Sequence, residues 1–323
     1  MSTPSPADPV AARLAEGAFL LVDKPRGPSS HQVTAWARDL LGIRVAGHAG
    51  TLDPNVSGLL WVGVGPALKL LPLVLEFPKR YVGVVTFHAP VGARELEQAL
   101  AEFTGPIYQT PPVRSAVKRE RRVRTIHRLR AVEREGNRAV LDLVADSGTY
   151  VRTLAVDLGE ALGIGAHLEE LRRVATGPFT EQAAITLSAL SDAVSARAAG
   201  DPAPLLALLH PIEEVWREFP AIVLKEAAVS AVAHGAGLAS GGIVRVGATF
   251  AAGRRVVLVS RSGVLIATGV ARYASAEMAK VRHGWVVEDT RVFVDPAQFP
   301  ALWHRPAPAG GPPEAPAGGA PIH

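Results

Sequence analysis

At Phe219-Pro220 the sequence changes texture, and that change limits the folds open to the chain. Beyond it, short Val-rich stretches at Ile243 to Val246, Arg255 to Ser260, Val264 to Ala271 and Val286 to Phe293 are separated by glycines. Short, evenly spaced strands with turn residues between them describe a small β-barrel. Before the break, strand and helix patterns mix without strict alternation. That favours an α+β fold with a mixed, largely antiparallel sheet flanked by helices over a doubly wound one. With 323 residues the chain can form two domains, each large enough for its own core.

In the first part, Ala18 to Val22 reads as a strand, followed by the turn signal Lys24-Pro25-Arg26-Gly27-Pro28. Ser30 is placed to cap a helix with Val33, Trp36, Leu40 and Leu41 on one face, ended by Gly42. Further strands are expected at Leu59 to Val64, Tyr81 to Phe87, Thr125 to Glu133 and Arg138 to Ala145, the last two joined across Glu135-Gly136-Asn137. Helices are expected from Ala67 to Leu75, Glu95 to Phe103, Tyr150 to Leu162, around His167 to Val174, and from Thr186 to Arg197. Residues 306–323, fifteen of eighteen of them Pro, Gly or Ala, have almost nothing to bury and are expected to be disordered.

A formal net charge of +4 hides a strong asymmetry. From Arg114 to Arg134 nine Lys and Arg face two Glu, a local net of +7. A solvated face is the plain alternative, but Val123, Ile126, Leu129 and Val132 run through the block. They point to an ordered element that presents charge to phosphates. The absence of cysteine excludes disulfide scaffolds, thiol nucleophiles and Cys-ligated metals. The ten histidines show no HExxH or similar ligand spacing, and Gly63-x-Gly65 and Gly241-Gly242 are too short for nucleotide-binding fingerprints, so neither a metal nor another cofactor is expected. The N-terminal residues lack the basic and apolar regions of a signal peptide, and the apolar run from Gly58 to Phe77 is broken by Gly, Pro and Lys. A cytoplasmic protein without membrane association is expected.

Chemistry could sit in the turn-rich run His48-Ala49-Gly50-Thr51-Leu52-Asp53-Pro54. A lone Asp-Pro is usually a plain turn. This one has company in Ser147-Gly148-Thr149-Tyr150-Val151-Arg152, with an aromatic and a guanidinium two apart, and in Lys79-Arg80-Tyr81.

These stretches resemble the TruB and dyskerin family of RNA pseudouridine synthases. So do Asp23 to His31, Pro111 to Ala116 and Leu168 to Arg173, in the family's order across about residues 17 to 190. The resemblance implies that Asp53 is the catalytic aspartate acting on the ribose of a target uridine. The glycosidic bond then breaks, and the freed uracil rotates and rejoins through C5. Whether the carboxylate adds at C1′ or removes a C2′ proton stays open. Tyr81 matches the tyrosine that stacks on the base, Arg152 the arginine that pairs with the aspartate, and Tyr150 and Leu171 the lining of the base pocket. The resemblance also implies RNA or partner contacts for Lys24, His48, Arg114, Lys118, Arg119, Arg121 and Arg122. Chemistry agrees: a carboxylate in a buried pocket needs a facing cation, and a guanidinium can bond it bidentately. A base must leave its stack to react.

Val223 to Ala236 with Gly241-Gly242-Ile243-Val244 resembles the opening of a PUA domain, an RNA-binding barrel. The expected organisation is a flexible N-terminal extension (1–16), the synthase domain (17–215), the PUA domain (219–304) and the disordered tail (305–323).

Within the family, Arg114-Ser115-Ala116-Val117-Lys118-Arg119 and the short segment His88 to Arg94 resemble the archaeal form. That form implies action on rRNA with a box H/ACA guide RNA and small accessory proteins, with the tRNA T-loop as a second candidate substrate. The alternatives are a stand-alone tRNA synthase and an inactive RNA-binding scaffold. A two-carboxylate glycoside hydrolase lacks a second motif-supported acid.

Overall fold

The structure, a computed structural model, describes residues 8–110 and 120–299. Arg114, Lys118 and Arg119 and the Pro/Gly/Ala tail lie outside the described residues. The chain divides into two compact units at Glu218/Phe219, the position of the texture break.

The first unit runs α1 (Pro9–Glu16), β1 (Ala18–Lys24), α2 (Ser30–Leu41), β2 (Ala46–Ala49), β3 (Val56–Val64), α3 (Leu71–Glu76), β4 (Lys79–Phe87), α4 (Ala93–Glu102) and β5 (Gly105–Gln109). It continues with β6 (Arg122–Glu135), β7 (Arg138–Ala145), α5 (Val151–Ala161), β8 (Ala166–Thr176), β9 (Phe179–Thr180), α6 (Leu187–Ala198), α7 (Ala203–Leu208), β10 (His210–Pro211) and α8 (Glu213–Trp216). Its strands form one sheet in the order β10-β1-β3-β8-β4-β7-β6-β5, with β2 on β3 and β9 on β8. Among these strand pairings only β3–β8 is parallel, so the largely antiparallel α+β reading holds.

Two apolar clusters hold this sheet to its helices. One gathers Leu20, Val22, Leu60 and Val62 with Val33, Ala37 and Leu41 of α2 and Leu190 of α6. The other packs Val85, Phe87, Leu141 and Leu143 against Leu96 of α4 and Leu154 and Leu158 of α5. Tyr81 and Leu171 touch both clusters, which places them at the seam between the two halves of the sheet.

Four local expectations are corrected. Residues 166–176, expected as a helix, form β8 in the middle of the sheet. A bulge there shifts register between Val84 and Val85, so Leu168 and Leu171 share a face although they stand three apart. The helix after β1 is capped by Ser29, not Ser30: Ser29 Oγ accepts from Gln32 N, and Gln32 Oε1 accepts from Ser29 N. Its inner face is Val33, Ala37 and Leu41, while Trp36 is exposed. Finally, residues 9–16 are not a loose extension. Asp8 caps α1, Val10 is fully buried, and Arg13 donates to the Leu209 carbonyl at 2.9 Å.

The second unit contains β11 (Ala221–Leu224), α9 (Glu226–Ala233), β12 (Leu238–Ala239), β13 (Ile243–Val246), β14 (Arg255–Val259), β15 (Leu265–Ala271) and β16 (Trp285–Val292). They make a six-stranded sheet, order β12-β16-β15-β14-β11-β13, around a core of Ile222, Leu224, Val229, Val256, Leu258, Ile266 and Val286. Among the described residues no helix is long and apolar enough to cross a membrane.

Candidate active site

The loop that carries Asp53 is pinned from three sides. Ser30, fully buried, donates to the Leu52 carbonyl at 2.9 Å and accepts from the Leu52 amide at 2.8 Å. Gly27 N donates to the Pro54 carbonyl at 2.8 Å, and Asp53 O accepts from Val56 N as β3 begins. From the third side, Arg173 Nη2 donates to Gly50 O at 2.8 Å. Gly50 takes φ of 70°, a conformation that favours glycine, and a side chain there would press on the Arg173 guanidinium.

Arg173 is itself 1% exposed. Its Nε donates to Leu59 O at 2.8 Å, and it stands opposite Tyr81 in the β4–β8 register. Burial lowers its pKa, while the Tyr81 contact works the other way. A side chain on Gly58 would stand 2.2 Å from the Arg173 carbonyl oxygen, so glycine lets β3 and β8 meet here.

Into this frame Arg152, in the first turn of α5, brings its Nη2 onto Asp53 Oδ2. The expected pairing is present, but not in a buried pocket: the two side chains are 59% and 57% exposed. Tyr81, third in β4, lies between Leu143 of β7 and Arg173 of β8 in the register. Leu171 pairs with both Val56 and Gly83, and Gly83 leaves room for its side chain. Tyr150 sits at the N-terminal boundary of α5, half-buried.

His48, on β2, is half-buried with its Nδ1 3.2 Å from Thr34 Oγ1 and its ring edge-on to His31 at 4.7 Å. Burial, then His31 and Arg173, hold its pKa below the ordinary histidine value, so it is neutral at pH 7.

Lys24, expected among the contacts to RNA or partners, is fully buried and cannot make them. Its ammonium donates to the carbonyls of Pro25 at 2.7 Å, Pro28 at 2.9 Å and Pro54 at 3.4 Å, tying the 24–28 turn to the Asp53 loop. The basic block also divides. Arg128 and Arg130, together with Arg80, converge on Asp142, whose side chain is 2% exposed, and Arg134 donates to Val91 O. Burial would raise the Asp142 pKa, but these three guanidiniums outweigh it and hold the carboxyl below its ordinary range. Arg121 instead stacks over the exposed Tyr108 ring at 4.4 Å, and Arg122 opens β6 opposite Gln109. Among the described residues no group of three or more His, Asp or Glu is placed to hold a metal.

The chain is similar to known proteins over most of its length. Residues 38–93 match the TruB family pseudouridylate synthase N-terminal domain, 152–216 the tRNA pseudouridylate synthase B C-terminal domain, and 220–293 the PUA domain. A probable tRNA pseudouridine synthase B of Pyrobaculum arsenaticum is 44% identical over 89% of this chain and 87% of its own length. One of Methanothermobacter thermautotrophicus is 42% identical over 87% of each. Among solved structures, a Cbf5-Nop10-Gar1 complex matches with a TM-score of 0.83 at 37% identity, covering 91% of this chain and 90% of that one. An H/ACA RNP bound to a substrate RNA containing 2'-deoxyuridine matches with a TM-score of 0.78 at 34% identity, covering 94% of each. The chain belongs to the TruB family of pseudouridylate synthases, enzymes that isomerise uridine in RNA.

Proposed function

We propose that Asp53 is the group that acts on the ribose of a flipped uridine, with Arg152 as its counter-ion. The Arg152–Asp53 pair carries this reading, on a loop whose Asp53 carbonyl accepts from Val56 N, Val56 in turn pairing with Leu171 of β8. In the free protein the pair is open to water. A bound RNA that covers it would strip that water, and the guanidinium then keeps the carboxylate charged as solvent leaves. Tyr81 stacks on the base, with Tyr150 and Leu171 lining its pocket. The reaction balances without a co-reactant: the N1–C1′ bond breaks, the uracil turns, C5–C1′ forms, and the C5 proton is exchanged for one on N1. Addition at C1′ and abstraction at C2′ both call for an ionised carboxylate at Asp53. His48, Arg121, Arg122 and the segment holding Arg114, Lys118 and Arg119 bind the RNA or a partner protein.

We assign the substrate as rRNA presented by a box H/ACA guide RNA with small accessory proteins, and the site of action as the cytoplasm. Support comes from the likeness to Cbf5 complexes, one described as an archaeal box H/ACA sRNP Nop10-Cbf5 complex, and from the five-residue link between Phe87 and Ala93. The tRNA T-loop without a guide is the second reading, favoured by the names of the curated relatives. Tritium release from C5-labelled uridine, in unmodified tRNA and in a guided rRNA fragment, separates the two. Release only in the assembled guided reaction supports the first, and release from tRNA by the protein alone establishes the second. None from either, with RNA still bound, would make the chain a scaffold.

A further inference from the structure

The segment from Asp146 to Arg152 delivers Tyr150 and Arg152, yet most of its hold on the sheet comes from side chains of other strands. Gln109, the last residue of β5 and 3% exposed, bonds Tyr150 twice. Its Oε1 accepts from Tyr150 N at 2.9 Å, and its Nε2 donates to Tyr150 O at 3.1 Å. The amide thus stands in for the neighbouring strand that Tyr150 lacks after β7 has ended. A glutamine can do this because it carries one donor and one acceptor side by side, as a peptide group does.

From the other side comes Lys79, the first residue of β4. It lies opposite Ala145, the last residue of β7, and is 4% exposed. Its ammonium donates to Phe77 O at 2.6 Å, Leu75 O at 2.7 Å and Val74 O at 3.3 Å, which closes the C-terminal end of α3. It also donates to Ser147 Oγ at 3.1 Å, two residues beyond the last rung of the ladder. Lysine is almost never buried this deeply without polar partners, and four oxygens around one Nζ satisfy it. Between the two anchors, Asp146 accepts from Thr125 N and His127 Nε2 of β6, and its carbonyl accepts from Thr149.

We propose that Gln109 and Lys79 are positioning residues that clamp this segment between β5 and β4, and so set where Tyr150 and Arg152 stand relative to Asp53 and Tyr81. The proposal rests on the catalytic reading above. It adds that β4 fixes both sides of the site: Tyr81 through its own side chain, and the facing loop through Lys79 two residues earlier. It also ties the end of β5, where the chain enters the basic segment 114–119, to the backbone of a pocket residue.

The test compares Gln109→Met, Ser147→Ala and Lys79→Met with the wild-type protein in the complete guided assembly and with tRNA. Ser147→Ala removes one acceptor and leaves the carbonyl cradle of Lys79 intact, so it tests the β4 anchor even if Lys79→Met does not fold. Hydrogen exchange at the Tyr150 amide should quicken about tenfold in Gln109→Met, the loss of one hydrogen bond, with β4 and β7 unchanged. Single-turnover isomerisation should slow about tenfold to a hundredfold, because displaced groups lose their alignment, while RNA affinity stays within about twofold. The Gln109→Met/Ser147→Ala double variant should lose less than the product of the two singles, because both act on one loop. Unchanged turnover with faster exchange would overturn the proposal, as would a fall in turnover matched by an equal loss of RNA binding. A wild-type protein that releases no tritium from either RNA would instead overturn the proposed function, and the inference with it.

Discussion

Arg173 reaches from inside β8 to the Gly50 carbonyl, so a buried cation in the middle of the sheet holds the loop that ends in Asp53. The same guanidinium donates to Leu59 O, and Arg173 stands opposite Tyr81 in the β4–β8 register. Arg173→Met should therefore both destabilise and inactivate. Losing charged hydrogen bonds to buried carbonyls is expected to cost about 2–4 kcal/mol in urea unfolding. A loss below about 1 kcal/mol would mean that water replaces the guanidinium.

Asp53→Asn keeps the size of the side chain and removes its charge. Tritium release should fall to background while RNA affinity stays nearly unchanged. Wild-type-like turnover by this variant would rule Asp53 out as the reacting group.

Lys79 gives a stability signature with a definite sign. Burial, with a smaller push from Arg173 and a smaller pull from Glu76, brings its pKa down to about 7. The unfolded chain holds that proton up to roughly pH 10.4, so above pH 7 the unfolded state binds more protons and stability rises with pH. The difference in unfolding free energy between wild type and Lys79→Met should therefore shift in favour of wild type between pH 7 and 10. A flat difference would place the folded-state pKa near its ordinary value.

Asp142 has the opposite behaviour. Its folded pKa lies below the ordinary carboxylate range, so the stability it contributes is complete above about pH 4 and is lost as pH falls through the folded value. Asp142→Asn should remove that acid transition. At neutral pH it should cost about 1.5–3 kcal/mol, the range for hydrogen bonds to a charged group, because the three guanidiniums left behind are about half exposed and can be rehydrated. Acid unfolding of the variant that overlays wild type would show that the three arginines do not depend on Asp142.

Neutralising Lys118, Arg119, Arg121 and Arg122 together should weaken RNA or partner binding and lower the salt slope by about one for each phosphate these side chains pair with. Neutralising Arg128 and Arg130 should change the slope less, because both are bonded to Asp142. Equal slopes for the two sets would contradict that division.

The strand-rich second unit and the boundary at Phe219 were legible because both are written in local composition, whereas the pairing of Arg152 with Asp53, 99 residues apart, was implied only by the family resemblance. Apart from the one-residue shift of the α2 cap and the turn of its apolar face, reading failed at a bulge or a distant partner. Leu168 and Leu171 look helical because a bulge in β8 lets residues three apart share one face of a sheet. In β6 the shift between Ile126 and Arg128 likewise puts Ile126 and Leu129 on one face, but the expected strand at Thr125 to Glu133 is present. Lys24 looked like a surface cation, since a turn signal does not reveal that the carbonyls of Pro25 and Pro28 fold back onto its ammonium or that Pro54, 30 residues on, joins them. Gln109 and Arg173 carried no assigned role, for their partners lie 41 and 123 residues away. A polar residue flanked by strand-forming neighbours was the signal available for Gln109.

The alternation within β4 has an evolutionary consequence. Arg80 and Tyr81 are adjacent and point to opposite faces, one committed to Asp142 and the other to the seam beside Asp53. Inserting or deleting a single residue anywhere between Lys79 and Tyr81 would exchange a cation for the aromatic ring and unseat both at once. Descendants of this chain can therefore drift in side-chain identity along β4, but changes in length must be absorbed in the 88–92 link or beyond it.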